Sequence, residues 1–227
     1  MNKTSQEGRS FIIDVVGNLP IINNVNVIFC PPFTGLYNID ISPPYYLGAQ
    51  NCFYKGQGAY TGEISIEMLL ECNVEYVIIG HSERRHIFHE NNELIGKKMS
   101  RVINAGMKPI LCIGETIVEM NNGKTYDIIE EQIIKGLTNV KSIDNIIIAY
   151  EPVWAIGTGL TPTIEEIDDT HRFIRESNDK LNKYKILYGG SVKASNAREI
   201  TDLPNVDGAL IGGASLKSEE FTRIIED

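Results

Sequence analysis

The chain has 227 residues, 42% of them hydrophobic, and a formal net charge of −9. This length can bury a core as one domain or two small ones, and the acidity argues against general nucleic-acid binding, which needs a basic surface. Because no apolar run could span a membrane and no signal-peptide pattern opens the chain, we expect a cytoplasmic protein.

The first predicted element is a helix within MNKTSQEGRSFIIDVVGNLP. Thr4 and Glu7 have the spacing of a capping box, which satisfies the first free N–H groups of a helix. The apolar residues between positions 11 and 19 fall on one helical face. Gly17 and Asn18, followed by Pro20, predict the end of this helix.

Seven short β-branched runs follow, and each ends in a polar or glycine-rich turn. Near-continuous apolar runs are typical of parallel strands buried on both faces. The predicted strands lie within 25–32, 45–51, 74–82, 107–115, 145–152, 185–191 and 206–215.

Helical patterns lie between most of these runs. They cover 66–73, 95–106, 126–137, 164–181, 194–203 and 217–227. Gly106 and Gly136 stand where the C-caps of two of these helices are expected. Cys30, Cys52, Cys72 and Cys112 are scattered without a C-x-x-C pair, which predicts free thiols in a reducing compartment.

Strands that alternate with helices indicate a parallel α/β protein. The sequence has no linker or composition break, so one domain is favoured. An open doubly wound sheet and a closed barrel both remain possible, although no G-x-G-x-x-G pattern follows the first strand. A barrel has eight strands, and here the missing one would precede Met1.

The segment IIGHSERR (78–85) places His81 at the end of an apolar strand. A histidine at a helix N-terminus has its charged form disfavoured by the helix dipole, so we expect a neutral ring that donates a hydrogen bond. The alternatives are a core histidine and a metal site built from His81, Glu83, His86 and His89.

The segment AYEPVWAIGTGLTPT (149–163) places Glu151 at the end of another apolar strand. A buried carboxylate is costly there unless it has a partner or a role. Small and flexible residues follow, and Pro152 and Pro162 stiffen the two sides. This pattern fits a closing lid and equally fits an ordinary strand-to-helix loop with a surface glutamate.

Two glycine pairs, in YGGSV (188–192) and IGGAS (211–215), end the last two predicted strands. Glycines there leave backbone N–H groups free to face a ligand. Phosphate occupies this position in many barrels, so a phosphate site is favoured over a pair of tight turns.

With these motifs in place, the chain resembles the triosephosphate isomerase family over nearly its whole length. The resembling segments, in order, are CPPF (30–33), AQN to GAYTGEIS (49–65), IIGHSERR, CIGE (112–115), AYEPVWAIGTG, YGGSV and IGGASL (211–216). The resemblance implies a single TIM (β/α)8 barrel domain over residues 1–227.

The resemblance also implies an activity: interconversion of dihydroxyacetone phosphate and D-glyceraldehyde 3-phosphate through an enediolate, in glycolysis and gluconeogenesis, without cofactor or metal. Glu151 matches the family's base, and His81 matches the neutral group that polarises the substrate carbonyl. The other implied site residues are Gly157, Ser191, Gly212 and Gly213 as phosphate donors, Glu83 as a supporting carboxylate, and Ile156 with Leu210 as the apolar pair over the base.

A homodimer is implied as well, because the family's counterpart of loop 51–62 inserts beside the partner's site, with the residue matching Thr61 near the catalytic groups. The family's first strand ends in N-x-K-M-N, whereas this chain begins at M-N. We therefore expect that strand, with its asparagine and catalytic lysine, upstream of Met1. Without them we expect poor activity, unless another lysine such as Lys3 reaches the site.

Two rival functions remain. One is a related phosphosugar isomerase or aldolase barrel; an aldolase would need a Schiff-base lysine at the carboxyl end of a strand, whereas Lys108 and Lys185 are expected at the beginnings of theirs. A catalytically impaired barrel that binds a phosphate ligand or a partner becomes the alternative if the catalytic lysine is absent.

Overall fold

The computed structural model describes residues 1–19, 25–138, 140, 145–156, 160–177 and 183–226. Within these residues, seven strands form one parallel sheet in chain order. They are β1 (Val27–Phe29), β2 (Tyr45–Ala49), β3 (Tyr76–Ile79), β4 (Lys108–Ile113), β5 (Ile147–Tyr150), β6 (Lys185–Tyr188) and β7 (Gly208–Ala209). Each strand lies inside the run that predicted it.

Helices precede, connect and follow the strands, except that β1 and β2 are joined through a 3-10 turn, Phe33–Gly35. They are α1 (Ser5–Asn18), α2 (Ile66–Glu71), α3 (Ser82–His86), α4 (Asn92–Asn104), α5 (Ile117–Asn121), α6 (Thr125–Leu137), α7 (Ile164–Glu176), α8 (Ala197–Thr201) and α9 (Ser218–Glu226). The capping box predicted from Thr4 and Glu7 is present at α1. The short helices α3 and α5 were not predicted, because neither is long enough to show an apolar period.

One of the two glycine caps was predicted wrongly. Gly106 follows the C-cap of α4 with φ +76°, as expected for a residue that ends a helix. Gly136 instead lies inside α6 and is buried. A Cβ there would lie 3.1 Å from Leu111 Cδ2, so the glycine lets α6 approach the sheet closely.

The sheet is buried on both faces. Alternate residues of β3, β4 and β5, such as Val77, Leu111 and Ile148, pack against the helices in the larger core. Their neighbours, such as Ile78 and Ile110, form a second, smaller cluster on the other face. This two-sided burial explains the continuous apolar runs in the sequence.

The fold is that of a TIM (β/α)8 barrel, of which the described residues supply seven strands. β1 and β7 are the two ends of this strand order, and the strand expected before Met1 stays a prediction. Among the described residues, no helix is long and apolar enough to cross a membrane. Pro20, the predicted stop after α1, lies outside the described residues.

Candidate active site

The residues predicted for chemistry gather at the carboxyl ends of the strands. His81 follows β3, Glu151 follows β5, Ser191 follows β6 and Gly212 follows β7. Because parallel strands end at the same edge of a sheet, four separate chain segments converge there. This edge is also where ligands bind in open and closed parallel sheets.

His81 and Glu151 are in direct contact. His81 Nε2 lies 3.0 Å from Glu151 Oε1, and the Ser82 backbone N–H donates to Glu151 Oε2 over 2.9 Å. The side chain of Glu151 is only 3% exposed, so these two contacts hold a carboxylate that is shielded from water. The predicted pair is therefore brought together, and Ser82, which the sequence analysis did not single out, joins it.

The protonation of His81 is under opposing influences. Burial, the largest effect, lowers its pKa, but the hydrogen bond and charge of Glu151, with the charge of Glu83, leave the pKa raised. This upward shift of the pKa is opposite to the one expected from the helix dipole, which disfavours the charged ring. The reason is that a carboxylate touches the ring. The Glu83 backbone N–H, 3.3 Å from Nδ1, favours the neutral ring, since Nδ1 must keep its lone pair to accept it.

A second buried carboxylate supports the segment after Glu151. Glu115 follows β4 and is 1% exposed. Its Oε1 accepts the Trp154 indole N–H over 2.7 Å and faces the Tyr150 hydroxyl at 3.3 Å. Burial raises the pKa of Glu115. Its role was not predicted from the sequence, although a carboxylate at the end of an apolar strand was the signal that identified Glu151.

Two glycines leave room for Glu151. A Cβ on Gly189 would lie 2.8 Å from Glu151 Cγ and 3.1 Å from Tyr150 O. A Cβ on Gly114, whose φ is +157°, would overlap the backbone oxygen of Glu151. The segments CIGE and YGGSV therefore need glycine in part because the base and its main chain occupy the space that side chains would fill.

The predicted phosphate residues lie on the last two strand ends. Gly212 and Gly213 are exposed at the start of a 3-10 turn, Gly213–Leu216, and a Cβ on either would meet nothing within 4 Å. The first N–H groups of such a turn have no partner within it. Ser191 lines a cleft of about 240 Å³ beside Tyr188.

The other predicted residues lie further from the His81–Glu151 contact or outside the described part of the chain. Gly157, in the expected lid, lies outside the described residues, as do its two successors. Ile156 is 38% exposed, and Leu210 is half-buried with its N–H bonded to Tyr188 O. The Glu83 carboxylate is 3.9 Å from His81 Nδ1 on the solvent side, and Thr61 is exposed.

The described part of the chain holds no cluster of three metal-binding side chains, so His81, Glu83, His86 and His89 do not converge there. Lys3, the lysine considered for the site, donates to Leu216 O over 2.8 Å and covers the Phe11 ring.

The positions of the lysines bear on the aldolase alternative. Lys108 and Lys185 begin β4 and β6, at the end of the sheet opposite the His81–Glu151 pair, as expected from the sequence. All four cysteines are free, as predicted.

Comparison with known proteins identifies close relatives. The family model described as triosephosphate isomerase matches residues 1–227. A triosephosphate isomerase of Carboxydothermus hydrogenoformans is 44% identical over 237 residues, which cover 100% of this chain and 94% of that protein. One of Aquifex aeolicus is 47% identical (99% and 95% covered), and one of Thermodesulfovibrio yellowstonii is 43% identical (100% and 95% covered).

Proposed function

The chain belongs to the triosephosphate isomerase family, and from this premise we propose how its residues carry out the reaction. The protein is an isomerase that interconverts dihydroxyacetone phosphate and D-glyceraldehyde 3-phosphate. The reaction moves a proton between adjacent carbons beside a carbonyl. It therefore needs a base for the carbon proton and a donor for the charge that develops on oxygen.

Glu151 is the base in this proposal. Its carboxylate has little access to water, and its two oxygens are held by His81 and the Ser82 N–H. These two contacts are exchangeable, because neither is a salt bridge to a permanent cation. When substrate takes their place, the carboxylate removes a proton from one carbon and returns it to the neighbouring carbon.

His81 is the donor to the substrate oxygens. With Nδ1 accepting from the Glu83 backbone N–H, the neutral ring carries its proton on Nε2, the atom that faces Glu151. Once substrate separates the two side chains, the upward influence of Glu151 on the pKa of His81 weakens and burial disfavours the charged ring. The neutral imidazole then donates to the developing enediolate.

Ser191, Gly212 and Gly213 bind the phosphate in this proposal. They follow β6 and β7 on the same edge as the pair, and the turn at Gly213 offers backbone N–H donors. Backbone donors suit this chain, whose net charge is −9, because they bind an anion without a cationic side chain. Glu83 supports His81 from outside, and Ile156 and Leu210 cover the base.

We also propose a homodimer in the cytoplasm. Loop 51–62 presents Phe53, Tyr54 and Tyr60 as a ring cluster, with centroid distances of 4.7 and 4.9 Å from Phe53 to the other two. Thr61 is exposed beside it. Aromatic side chains on a protruding loop are typical of the core of a protein interface, and the free cysteines fit a reducing compartment.

The oligomer is testable by sedimentation. The variant Thr61→Arg adds bulk and charge at the loop and is expected to convert a dimer into monomer. Thr138→Arg, at the end of α6 and far along the chain from this loop, is the matched control. A monomeric parent, or a dimer that survives both changes, would remove loop 51–62 from this role.

The observation that carries the mechanism is the 3.0 Å contact between His81 Nε2 and Glu151 Oε1 at the carboxyl edge. In Glu151→Gln the base is lost while the shape is kept, so kcat is expected to fall by roughly 10²–10⁴. The affinity for inorganic phosphate should change little. The control is Asp207→Asn, which removes a carboxylate at the opposite end of the strands and should keep kcat. Near-parental turnover in Glu151→Gln would exclude Glu151 as the base.

A further inference from the structure

A gap opens between β3 and β4 beside the active site. The two strands pair up to Ile79 and Leu111, and then β3 ends because Gly80, with φ +73°, turns the chain into His81. A gap of this kind leaves backbone carbonyl groups without a ladder partner, and a buried carbonyl needs a donor.

The guanidinium of Arg85 fills this gap. Its Nε–H donates to Gly80 O over 2.7 Å, and its Nη2–H donates to Cys112 O over 2.9 Å. Its Nη1–H donates to Asn92 Oδ1 over 2.7 Å. One side chain of α3 therefore joins the carboxyl ends of β3 and β4 to the start of α4. We call these three hydrogen bonds the Arg85 fork.

The fork bonds the main chain next to both reacting side chains. Gly80, whose carbonyl it holds, directly precedes His81. Cys112 directly precedes Ile113, whose carbonyl accepts the Glu151 N–H over 2.8 Å. A shift of either strand end would therefore move His81 and Glu151 relative to each other.

Arg85 also has an electrostatic link to the site. Its three partners are neutral groups, so no carboxylate touches it in the described structure. Burial lowers its pKa, and the charge of Glu151 is among the influences that raise it. The guanidinium thus adds a partly buried positive charge to a chain whose net charge is −9.

We propose that Arg85 is a positioning residue for the isomerase reaction: the Arg85 fork sets the distance and orientation between His81 and Glu151. This inference rests on the roles proposed above for those two residues. Arginine is required because its planar group presents several donors in fixed directions. A lysine places one ammonium and cannot bond all three acceptors in the same geometry.

The chain contains a matched control in Arg175 of α7. Its guanidinium donates to Tyr184 O over 3.3 Å and to Asn205 O and Asp207 Oδ2 over 2.8 Å. These groups precede β6 and β7, so Arg175 joins two strands at the amino end of the sheet. The two arginines use similar forks at opposite ends, and only one is beside the reacting groups.

The test compares Arg85→Lys with Arg175→Lys. In Arg85→Lys we expect kcat to fall roughly 10- to 100-fold with KM changed by less than about threefold, because a displacement near 1 Å costs catalysis more than binding. In Arg175→Lys we expect a lower urea midpoint of unfolding and an unchanged kcat. If Arg85→Lys also lowers only the midpoint, the fork is structural and the proposal is wrong.

Glu151→Gln, assayed in parallel, separates this proposal from the mechanism it rests on. Full activity in Glu151→Gln would refute the mechanism itself. Loss of activity there, with parental kcat in Arg85→Lys, would refute only the role of the fork.

A second pair of variants keeps the test decisive if Arg85→Lys fails to fold. Asn92→Ala removes the acceptor of Nη1 and leaves Arg85 in place, so we expect a smaller fall in kcat, roughly 3- to 10-fold, at similar KM. Asn92→Asp restores an oxygen acceptor and should recover most of the loss. Parental kcat in Asn92→Ala, or equal losses in both variants, would overturn the proposal.

Discussion

The two ends of the sheet hold their carboxylates with different partners. At the carboxyl ends, Glu151 is held by the His81 imidazole and one backbone N–H. At the amino ends, Asp207 accepts from Arg175, Lys185 and the Ile186 N–H over 2.8 to 2.9 Å. A substrate can replace the first set of contacts. The second ties neighbouring strands together with permanent charges.

This difference indicates a division of roles within one barrel between contacts that take part in catalysis and contacts that stabilise the strands. Contacts that must break during each turnover cannot be the ones that hold the strands in register, so separate groups brace the strands. These groups are the Arg85 fork at the carboxyl ends and Arg175 with Asp207 at the amino ends. The two ends also differ in burial: the Glu151 side chain is 3% exposed, whereas the Asp207 side chain is 19% exposed and that of Lys185 is 70% exposed.

The sharpest test of this division uses two glycines of nearly equal φ. Gly114 follows β4 with φ +157°, and Gly208 begins β7 with φ +154°. In Gly114→Ala the new Cβ would overlap the Glu151 main chain, so kcat should fall by roughly 10² or more. In Gly208→Ala the nearest atom is Leu187 Cδ2 at 3.2 Å, a side-chain end that can move.

Gly208→Ala is therefore expected to lose only stability, about 1–3 kcal/mol for a strained φ, and to keep kcat. Steady-state kinetics and urea unfolding on the two variants measure both quantities. Equal catalytic losses at the two positions would contradict the division between the ends.

A smaller effect is expected at Gly189. The Cβ of Gly189→Ala would lie 2.8 Å from Glu151 Cγ, and this side chain can turn away, whereas the main chain near Gly114 cannot. We expect kcat to fall roughly 10-fold, with KM nearly unchanged. Gly8→Ala in α1, where the new Cβ meets nothing within 4 Å, is the control and should add about 0.5–1 kcal/mol of stability.

The outcome at Gly189 shows how closely the base must be held. A parental kcat in Gly189→Ala would mean that the position of the Glu151 side chain is not set by the space beside it. The contact geometry at the carboxyl edge would then matter less than proposed.

The smallest predicted effect concerns the packing between the two ends. His171 of α7 is fully buried, its Nδ1 lies 2.8 Å from Ile167 O, and burial lowers its pKa. The folded state keeps this ring neutral, whereas the unfolded chain takes up a proton below about pH 6.5. The stability from His171 is thus complete above that pH and is lost as the pH falls toward the depressed pKa, by at most about 1.4 kcal/mol per pH unit.

The measurement is the free energy of unfolding in urea at about pH 7.5 and pH 5.5. His171→Phe should lose less stability on acidification than the parent, and His86→Gln, at an exposed position, should behave like the parent. His81, whose pKa is raised, contributes in the opposite sense, because its stabilisation is lost as the pH rises. An identical acid loss in His171→Phe would show that this ring is not kept neutral by burial.

The sequence predicts much of this molecule for local reasons. The apolar runs predict all seven strands, since a strand buried on both faces has few polar residues. Thr4 and Glu7 predict the start of α1, because a capping box is formed by neighbours in the chain. His81 and Glu151 are found because polar side chains at the ends of buried strands require an explanation.

Other contacts are not local, and their partners were not predicted. Arg85, Glu115 and Ser82 bond groups that lie 27, 39 and 69 positions away in the chain. Nothing in the sequence around Arg85 distinguishes it from Arg84, which binds Glu90 instead. Gly136 was misplaced for the same reason, since its requirement comes from Leu111 on a neighbouring strand.

The sequence by itself therefore determined the order of the strands and the longer helices, the N-cap of α1, the glycine after α4, and the strand ends that carry His81 and Glu151. These follow from the burial period and from hydrogen bonds between near neighbours. The tertiary structure decided that His81 meets Glu151, that one arginine holds the active edge while another braces the opposite end, and which glycines face main chain. Those outcomes depend on distances between segments far apart in the chain, and these distances are set only when the strands align at a common edge.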